Sequence, residues 1–130
     1  MGRAVAPITV LLVEDEILIS RLMADELTER GFAVHAVATG AEALQYIKSG
    51  ADVDVLFTDV NLPGAIDGAE LAVRVRAMRP ELPIVYCSGR YNASNIQHQV
   101  TRSVFVAKPY DPAELCTLLG RLTEGLPARR

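Results

Sequence analysis

The stretch VDVLFTDVNLP, residues 53–63, runs from an apolar segment into Asp59 and then into a proline-containing turn. A short apolar run that ends at such a turn is typical of a strand buried in a parallel sheet. Three further apolar runs also end on polar side chains: ITVLLVED at Glu14 and Asp15, IVYCS at Ser88, and SVFVAK at Lys108. These four runs decide the fold and point to a site at their ends.

Helical segments alternate with the apolar runs along the whole chain. The predicted strands span residues 8–14, 32–37, 53–58, 83–87 and 103–107. Alternating strands and helices predict an α/β fold, with a parallel sheet, helices on both faces and right-handed crossovers. The carboxyl ends of the strands in such a sheet form the edge at which ligands bind.

Five helices are predicted, and three of them begin at recognisable caps. Typical N-terminal signals are Thr39 with Glu42, Asp67 with Glu70, and Asp111 followed by Pro112. Apolar stripes predict the buried faces, which are Ile19, Leu22, Met23 and Leu27 in the first helix, Leu71, Val75 and Met78 in the third, and Leu115, Leu118, Leu119 and Leu122 in the last. The polar segment 90–102 predicts a short, weakly held fourth helix.

The composition fits a single globular domain of 130 residues, with its packed part at about 8–123. Half of the residues are hydrophobic and 22% are charged, which excludes a disordered chain. A net charge of −3 without a basic block argues against nucleic acid, and the apolar runs are too short to span a membrane. Cys87 and Cys116 fall at predicted core positions, so we expect reduced thiols and a cytoplasmic location.

Each polar residue at a strand end has an ordinary explanation when it is taken alone. Glu14 or Asp15 could cap the first helix, Asp59 could form a turn, and Lys108 could be solvated. All of these explanations would have to coincide at one sheet edge. Three carboxylates gathered there repel one another unless a cation or a proton intervenes, so we expect a functional site.

In this order and spacing, the residues resemble the receiver domain of bacterial two-component response regulators. The resemblance covers about residues 8–123 and rests on Glu14-Asp15, Asp59-Val-Asn-Leu-Pro63, Ser88 and Lys108-Pro109. It implies a doubly wound, flavodoxin-like (βα)5 sheet with strand order 2-1-3-4-5. The segment Tyr86-Cys-Ser-Gly-Arg-Tyr91 resembles the Phe-Ala-Thr-Gly-x-Tyr signature of some single-domain receivers, although its first three positions differ. The loop after Asp59 is one residue longer than is common in the family.

The resemblance also implies the chemistry of the site. Asp59 would accept a phosphoryl group from a sensor histidine kinase or a histidine phosphotransfer protein. Lys108 and Ser88 would meet the charge on the phosphoryl oxygens. The bond between Lys108 and Pro109 would be cis, as in the family. The Mg²⁺ ligands would be Glu14, Asp15, Asp59 and the backbone carbonyl of Asn61.

Signal output in the family runs from the hydroxyl after the fourth strand to an aromatic residue in the fifth. Ser88 and Phe105 occupy these positions, and because phenylalanine has no hydroxyl, packing alone would drive the switch. The face made by the fourth predicted helix, the fifth strand and the last helix would then bind a protein partner in trans. We expect no output domain, because the chain ends soon after the last helix.

Such a switch would be a signalling phosphoacceptor and not an enzyme. Three other functions are alternatives to it. A phosphorelay carrier or phosphate sink would transfer the group without conformational output, and it is the main alternative. A phosphohydrolase of the haloacid dehalogenase type is disfavoured, because Asn61 replaces the second aspartate of that family's Asp-x-Asp motif. A receiver that is never phosphorylated is disfavoured because the acidic pair, Asp59, Ser88 and Lys108 are all present.

Overall fold

Five parallel strands form one sheet in the part of the chain that this computed structural model describes, residues 7–89 and 99–124. The strands are β1 Thr9–Val13, β2 Ala33–Val37, β3 Val55–Asp59, β4 Ile84–Ser88 and β5 Ser103–Ala107. The helices are α1 Ile17–Glu29, α2 Gly40–Lys48, α3 Gly68–Met78 and α4 Pro112–Leu122. The sheet order is β2-β1-β3-β4-β5, so the doubly wound α/β fold is confirmed.

The observed strands begin and end within two residues of the predicted ones. The largest difference is at β3, which begins at Val55 although Val53 was predicted. Asp54 is bonded to the start of β1 instead, since its carboxylate accepts the N–H of Thr9 at 2.8 Å and its own N–H donates to the Thr9 carbonyl at 2.9 Å. These two bonds fix the register between β1 and β3, and hence between the polar residues at their ends.

The three predicted helix caps are confirmed. The side chains of Thr39, Asp67 and Asp111 each accept a backbone N–H from the first turn of α2, α3 and α4. The suggestion that Glu14 or Asp15 caps α1 is wrong, because the N-cap residue is Glu16 and its side chain makes no capping bond. Both acidic residues therefore precede the helix, in the turn that follows β1.

Two predicted core positions are wrong. Leu22 is 68% exposed and Met78 is 36% exposed. Ser20, Met23 and Leu27 form the buried face of α1, and at about 100° per residue Leu22 lies about 130° from the centre of that face. Met78 lies about 70° from the corresponding centre in α3 by the same reckoning. The predicted stripes were thus correct at their centres and too wide at their edges.

Alternate strand residues fill two separate cores. One lies between the sheet and the helices α2 and α3, and includes Leu11, Leu56, Ile84, Tyr86 and Leu71. The other lies between the sheet and α1 and α4, and includes Val10, Leu12, Phe57, Met23 and Leu119. Because both faces of the sheet are covered, only its edges and ends reach solvent.

The fourth predicted helix falls largely outside the described residues, at 90–98. Residues 99–102 are described, and they form a turn that leads into β5. Among the described helices, none is long and apolar enough to cross a membrane.

Candidate functional site

The ends of four strands bring the predicted polar side chains together. Asp59 and Ser88 are the last residues of β3 and β4, Glu14 follows β1, and Lys108 follows β5. One carboxylate oxygen from each of Glu14, Asp15 and Asp59 lies within 4.8 Å of the other two. The Lys108 ammonium nitrogen lies 3.0 Å from Asp59 Oδ2 and 3.6 Å from Glu14 Oε1. We call these three carboxylates the acidic cluster.

Two hydrogen bonds hold the Asp59 carboxylate in place. The backbone N–H of Asn61 donates to Oδ1 at 3.1 Å, and Lys108 donates to Oδ2 at 3.0 Å. Asp59 is 8% exposed and Glu14 6%, whereas Asp15 is on the surface. The acidic cluster therefore has a buried floor at Asp59 and Glu14 and an open side at Asp15.

The backbone behind Asp59 is closely packed. The N–H of Val60 donates to the Cys87 carbonyl at 3.0 Å, and the N–H of Gly68 donates to the Val60 carbonyl at 2.8 Å. A side chain at position 68 would collide with the Asp59 carbonyl oxygen, and its Cβ would lie 2.7 Å from the Val60 Cα. Only glycine fits there, so the start of α3 fixes the position of Asp59. This role of Gly68 was not predicted from the sequence.

The site carries more negative than positive charge. Three carboxylates face one lysine, which leaves two negative charges in excess when all four groups are ionised. Burial raises the pKa of Glu14 above its usual 4.5, although the Glu16 N–H and the charge of Lys108 offset part of the rise. Burial alone would lower the pKa of Lys108, but its hydrogen bond to Asp59 and the charges of Asp59 and Glu14 raise it instead. Lys108 is thus a permanent counter-charge.

Two titratable neighbours of the acidic cluster stay protonated near neutral pH. Cys87 pairs with Asp59 in the ladder between β3 and β4, and burial raises the pKa of its thiol to about 12. Burial also raises the pKa of Tyr110 to about 12, and its hydroxyl donates to the Met23 sulfur at 3.4 Å. Both groups stay protonated near neutral pH, so neither serves as a base there.

Ser88 is connected to the loop after β3. It is 1% exposed, and its Oγ accepts a hydrogen bond of 3.2 Å from the side-chain amide of Asn61. The backbone N–H of Lys108 donates to the Ser88 carbonyl at 3.1 Å. The resemblance implied that the backbone carbonyl of Asn61 binds the metal, and a bond from the Asn61 side chain to Ser88 was not predicted. No spacing pattern in the sequence could have placed residue 61 beside residue 88.

Phe105 is half-buried and pairs with Tyr86 in the ladder between β4 and β5. Tyr86 is fully buried, and its hydroxyl accepts the backbone N–H of Val100 at 3.3 Å. Phe105 and Val100 both pack against the core that contains Tyr86. The hydroxyl that Phe105 lacks is thus present on the adjacent strand, where it contacts the segment that leads into β5. The bond between Lys108 and Pro109 is cis, as expected.

Two surface features flank the site. Ile17, Leu18 and Leu22, in the first two turns of α1 just beyond Asp15, are 66%, 72% and 68% exposed, and we call them the α1 patch. The sequence did not predict this patch, because Leu22 was assigned to the buried face of the helix. On the other side, the long loop after Asp59 forms a cavity of about 340 Å³ against α2, lined by Thr39, Ala41, Pro63, Gly64, Ala65 and Ile66. None of the residues around that cavity belongs to the acidic cluster.

The donor atoms of the acidic cluster suit Mg²⁺. This cation prefers oxygen ligands, and it usually takes one or two carboxylates and keeps several waters. The cluster offers three carboxylate oxygens within 4.8 Å of one another and includes neither cysteine nor histidine. Its excess of two negative charges equals the charge of the ion. The residues present therefore fit a magnesium site.

The doubly wound sheet, with an acidic cluster, a hydroxyl and a lysine at its strand ends, is consistent with a phosphoacceptor signalling domain. The chain matches the family described as "Response regulator receiver domain" over residues 10–120, and it belongs to that family. Receiver domains of two-component systems are signalling phosphoacceptors and not classical enzymes. They bind Mg²⁺ at an acidic site and interact with histidine kinases and phosphotransfer proteins.

Relatives and solved structures agree with this assignment. The chain is 34% identical to the transcriptional regulatory protein TcrA of Mycobacterium tuberculosis, over 99% of this chain and 52% of TcrA. It is 32% identical to the sensor kinase CckA of Brucella abortus, over 89% of this chain and 12% of the kinase. A response regulator receiver protein from Sinorhizobium medicae superposes with a TM-score of 0.85 at 34% identity, covering 92% of this chain and 96% of that one.

The chain spans about half of TcrA and a small part of CckA, so the functions of those whole proteins do not transfer to it directly. Its identity as a receiver domain and the doubly wound fold are confirmed. The single-domain organisation and the Phe-Ala-Thr-Gly-x-Tyr subgroup stay predictions.

Proposed function

We propose that this receiver accepts a phosphoryl group on Asp59 from a histidine kinase or a histidine phosphotransfer protein, with Mg²⁺ held at the acidic cluster. The proposal rests on the burial, the hydrogen bonds and the charged neighbours of the Asp59 carboxylate. It is almost buried, oriented by Asn61 and Lys108, and close to two further carboxylates. A carboxylate held so rigidly beside a permanent cation is well placed to act as a nucleophile.

In the transfer, an Asp59 oxygen attacks the phosphorus of the donor. The bond between phosphorus and the leaving atom of the donor breaks, and its electron pair departs with the donor. Lys108 neutralises charge on the phosphoryl oxygens, and the Ser88 hydroxyl donates a hydrogen bond to one of them. Mg²⁺, bound by Glu14, Asp15, Asp59 and the Asn61 carbonyl, would supply the charge that lets an anionic donor approach three carboxylates.

A protein donor must place its phosphohistidine over Asp59 and therefore must cover the rim of the site. The α1 patch begins two residues after Asp15, at that rim, and contains three large exposed aliphatic side chains. We propose that the α1 patch contacts the donor protein. Leu18→Arg should then slow labelling by any histidine kinase that labels the wild type. It should leave labelling by acetyl phosphate unchanged, since a small donor needs no docking surface.

The central experiment uses acetyl phosphate and Mg²⁺, with intact mass as the readout. We expect one phosphoryl adduct on the wild type, none on Asp59→Asn, and none in EDTA. Asp67→Asn is the matched control, because Asp67 lies in the same loop and asparagine caps a helix about as well as aspartate. Failure to label the wild type at saturating Mg²⁺, or equal labelling of Asp59→Asn, would refute the proposal.

For output, we propose that phosphorylation draws Ser88 toward the phosphoryl group and changes the packing of Phe105. The edge strand β5 and helix α4, with the fourth predicted helix, would then present an altered face to a protein partner in trans. Support comes from the position of Phe105. It is half-buried on β5 and pairs with Tyr86 on β4, the strand that ends at Ser88. A chemical-shift change at Phe105 on addition of Mg²⁺ and beryllofluoride, absent in Ser88→Ala, is the expected signature.

A second candidate is a phosphorelay carrier without conformational output. It is favoured by the 31% identity of this chain to the receiver domain of the hybrid histidine kinase CckA, which superposes with a TM-score of 0.77. Rapid back-transfer of the group to a histidine donor, with no change at Phe105, would support the carrier.

Both cysteines are free and buried, which agrees with the proposed cytoplasmic location.

A further inference from the structure

One side chain joins the ends of β3 and β4 across the rim of the site. Asn61 donates its backbone N–H to Asp59 Oδ1 at 3.1 Å and its side-chain amide to Ser88 Oγ at 3.2 Å. Asn61 itself is exposed, whereas Ser88 is 1% exposed. A surface residue thus reaches a buried hydroxyl and at the same time fixes the neighbouring carboxylate.

The direction of the bond to Ser88 has a chemical consequence. A hydroxyl has one proton to donate and two lone pairs with which to accept. Accepting from the Asn61 amide occupies a lone pair and directs the hydroxyl proton away from Asn61. A hydroxyl that accepts a hydrogen bond is also polarised and becomes a better donor. The amide therefore prepares Ser88 to donate to a third group.

We propose that the Asn61 side chain is a positioning residue for Ser88, orienting its hydroxyl as the donor to a phosphoryl group on Asp59. This inference rests on the proposed phosphorylation of Asp59. Asn61 acts through Ser88 and makes no contact with the phosphoryl group itself. Its backbone N–H, which binds Asp59, is a separate element that any residue other than proline would retain at position 61.

Because the side chain and the backbone of Asn61 make separate bonds, one substitution can remove the first and keep the second. Asn61→Ala removes the amide and keeps both the backbone N–H to Asp59 and the backbone carbonyl. The variant should label with acetyl phosphate and Mg²⁺ about fivefold more slowly than the wild type, the usual effect of one neutral hydrogen bond. Ser88→Ala should slow labelling by at least as much, since it removes the group that Asn61 positions.

The decisive test is a double-mutant cycle on the initial rate of labelling. If Asn61 acts through Ser88, Asn61→Ala should have no further effect in a Ser88→Ala background, within about twofold. Ser88→Thr, which keeps a hydroxyl, should restore the sensitivity to Asn61→Ala. Independent effects that multiply in the double variant would overturn the inference, as would an unchanged rate in Asn61→Ala.

A second measurement does not depend on phosphorylation. In the metal-free protein, Ser88→Ala should shift the side-chain amide resonances of Asn61 in a ¹⁵N correlation spectrum, and Ser88→Thr should shift them much less. Absence of a shift would mean that the bond does not form, which overturns the inference alone. A wild type that takes no label overturns the proposed function and this inference together, whereas a labelled wild type with a multiplicative cycle overturns only the inference.

Discussion

Lys108 is the only positive charge in contact with the acidic cluster among the described residues, so its removal is the sharpest electrostatic perturbation of the site. Lys108→Met keeps most of the aliphatic stem and deletes the charge. In the metal-free variant, Glu14 and Asp59 would be left nearly buried without a counter-charge. We expect the free energy of unfolding to fall, and the loss to depend on Mg²⁺.

The magnitude follows from the two distances. At an effective dielectric constant of about 20, a charge pair at 3.0 Å is worth about 5.5 kcal/mol and one at 3.6 Å about 4.6 kcal/mol. Desolvation of the three groups offsets most of this sum. Removing one partner of a buried pair costs about 3–5 kcal/mol. The Lys108 side chain is 26% exposed, so solvent screening places the expected loss at the lower end of this range. We therefore expect a loss of about 3 kcal/mol.

Urea unfolding in EDTA at pH 8 measures this loss, with Arg74→Met as the matched control. Arg74 lies 2.9 Å from Glu70, almost the same distance as the Lys108 pair, but both side chains are about half exposed. That variant should lose less than about 0.5 kcal/mol. Saturating Mg²⁺ should stabilise Lys108→Met more than the wild type, because the ion replaces the missing positive charge.

Two results would refute this reasoning. One is a loss for Lys108→Met in EDTA no larger than that for Arg74→Met, which would mean that the acidic cluster needs no counter-charge. The other is an equal gain of stability from Mg²⁺ in the wild type and in Lys108→Met, which would mean that the ion binds away from the lysine.

Three further predictions follow from single features. Burial raises the pKa of Glu14, so the native state binds the carboxyl proton more tightly than the unfolded state does. The free energy of unfolding of the metal-free protein should therefore fall as the pH rises from 4.5 through the pKa of the folded state. Glu14→Gln should remove this pH dependence, as measured by urea unfolding at a series of pH values. In thermal unfolding, Gly68→Ala should destabilise the protein by about 3 kcal/mol, because the added methyl group collides with the end of β3. Gly120→Ala, in open space within α4, should stabilise it slightly in the same measurement. Tyr86→Phe should cost about 1–2 kcal/mol in urea unfolding, because the Val100 N–H loses its acceptor; no loss would mean that water replaces the hydroxyl.

The parts of the molecule that could be predicted are those that local chemistry or parallel topology determines. Caps such as Thr39 and Asp67 bond to residues three positions away, so the sequence contains the whole interaction. The gathering of Glu14, Asp59 and Lys108 follows from topology, because parallel strands must place their carboxyl ends at one edge. No side-chain detail was needed for either prediction.

The parts that could not be predicted depend on contacts between residues distant in the sequence. The bonds from Asn61 to Ser88 and from Val100 to Tyr86 join residues 27 and 14 positions apart, and no residue pattern announces them. The need for glycine at position 68 arises from the close approach of α3 to β3, which is a three-dimensional fact. Leu22 was misplaced for another reason, since helical periodicity locates the centre of a buried face better than its margin.

The buried thiol beside Asp59 has a practical consequence. Cys87 is 2% exposed, and burial raises the pKa of its thiol to about 12, so it stays protonated and shielded at neutral pH and should react poorly with maleimides and other thiol reagents. Burial also raises the pKa of Cys116, the other cysteine of the chain. Fluorescent or spin labels could therefore be attached at Leu18→Cys or Leu22→Cys without first removing the native cysteines. The α1 patch can thus be mapped, residue by residue, against any candidate phosphodonor in an otherwise wild-type background.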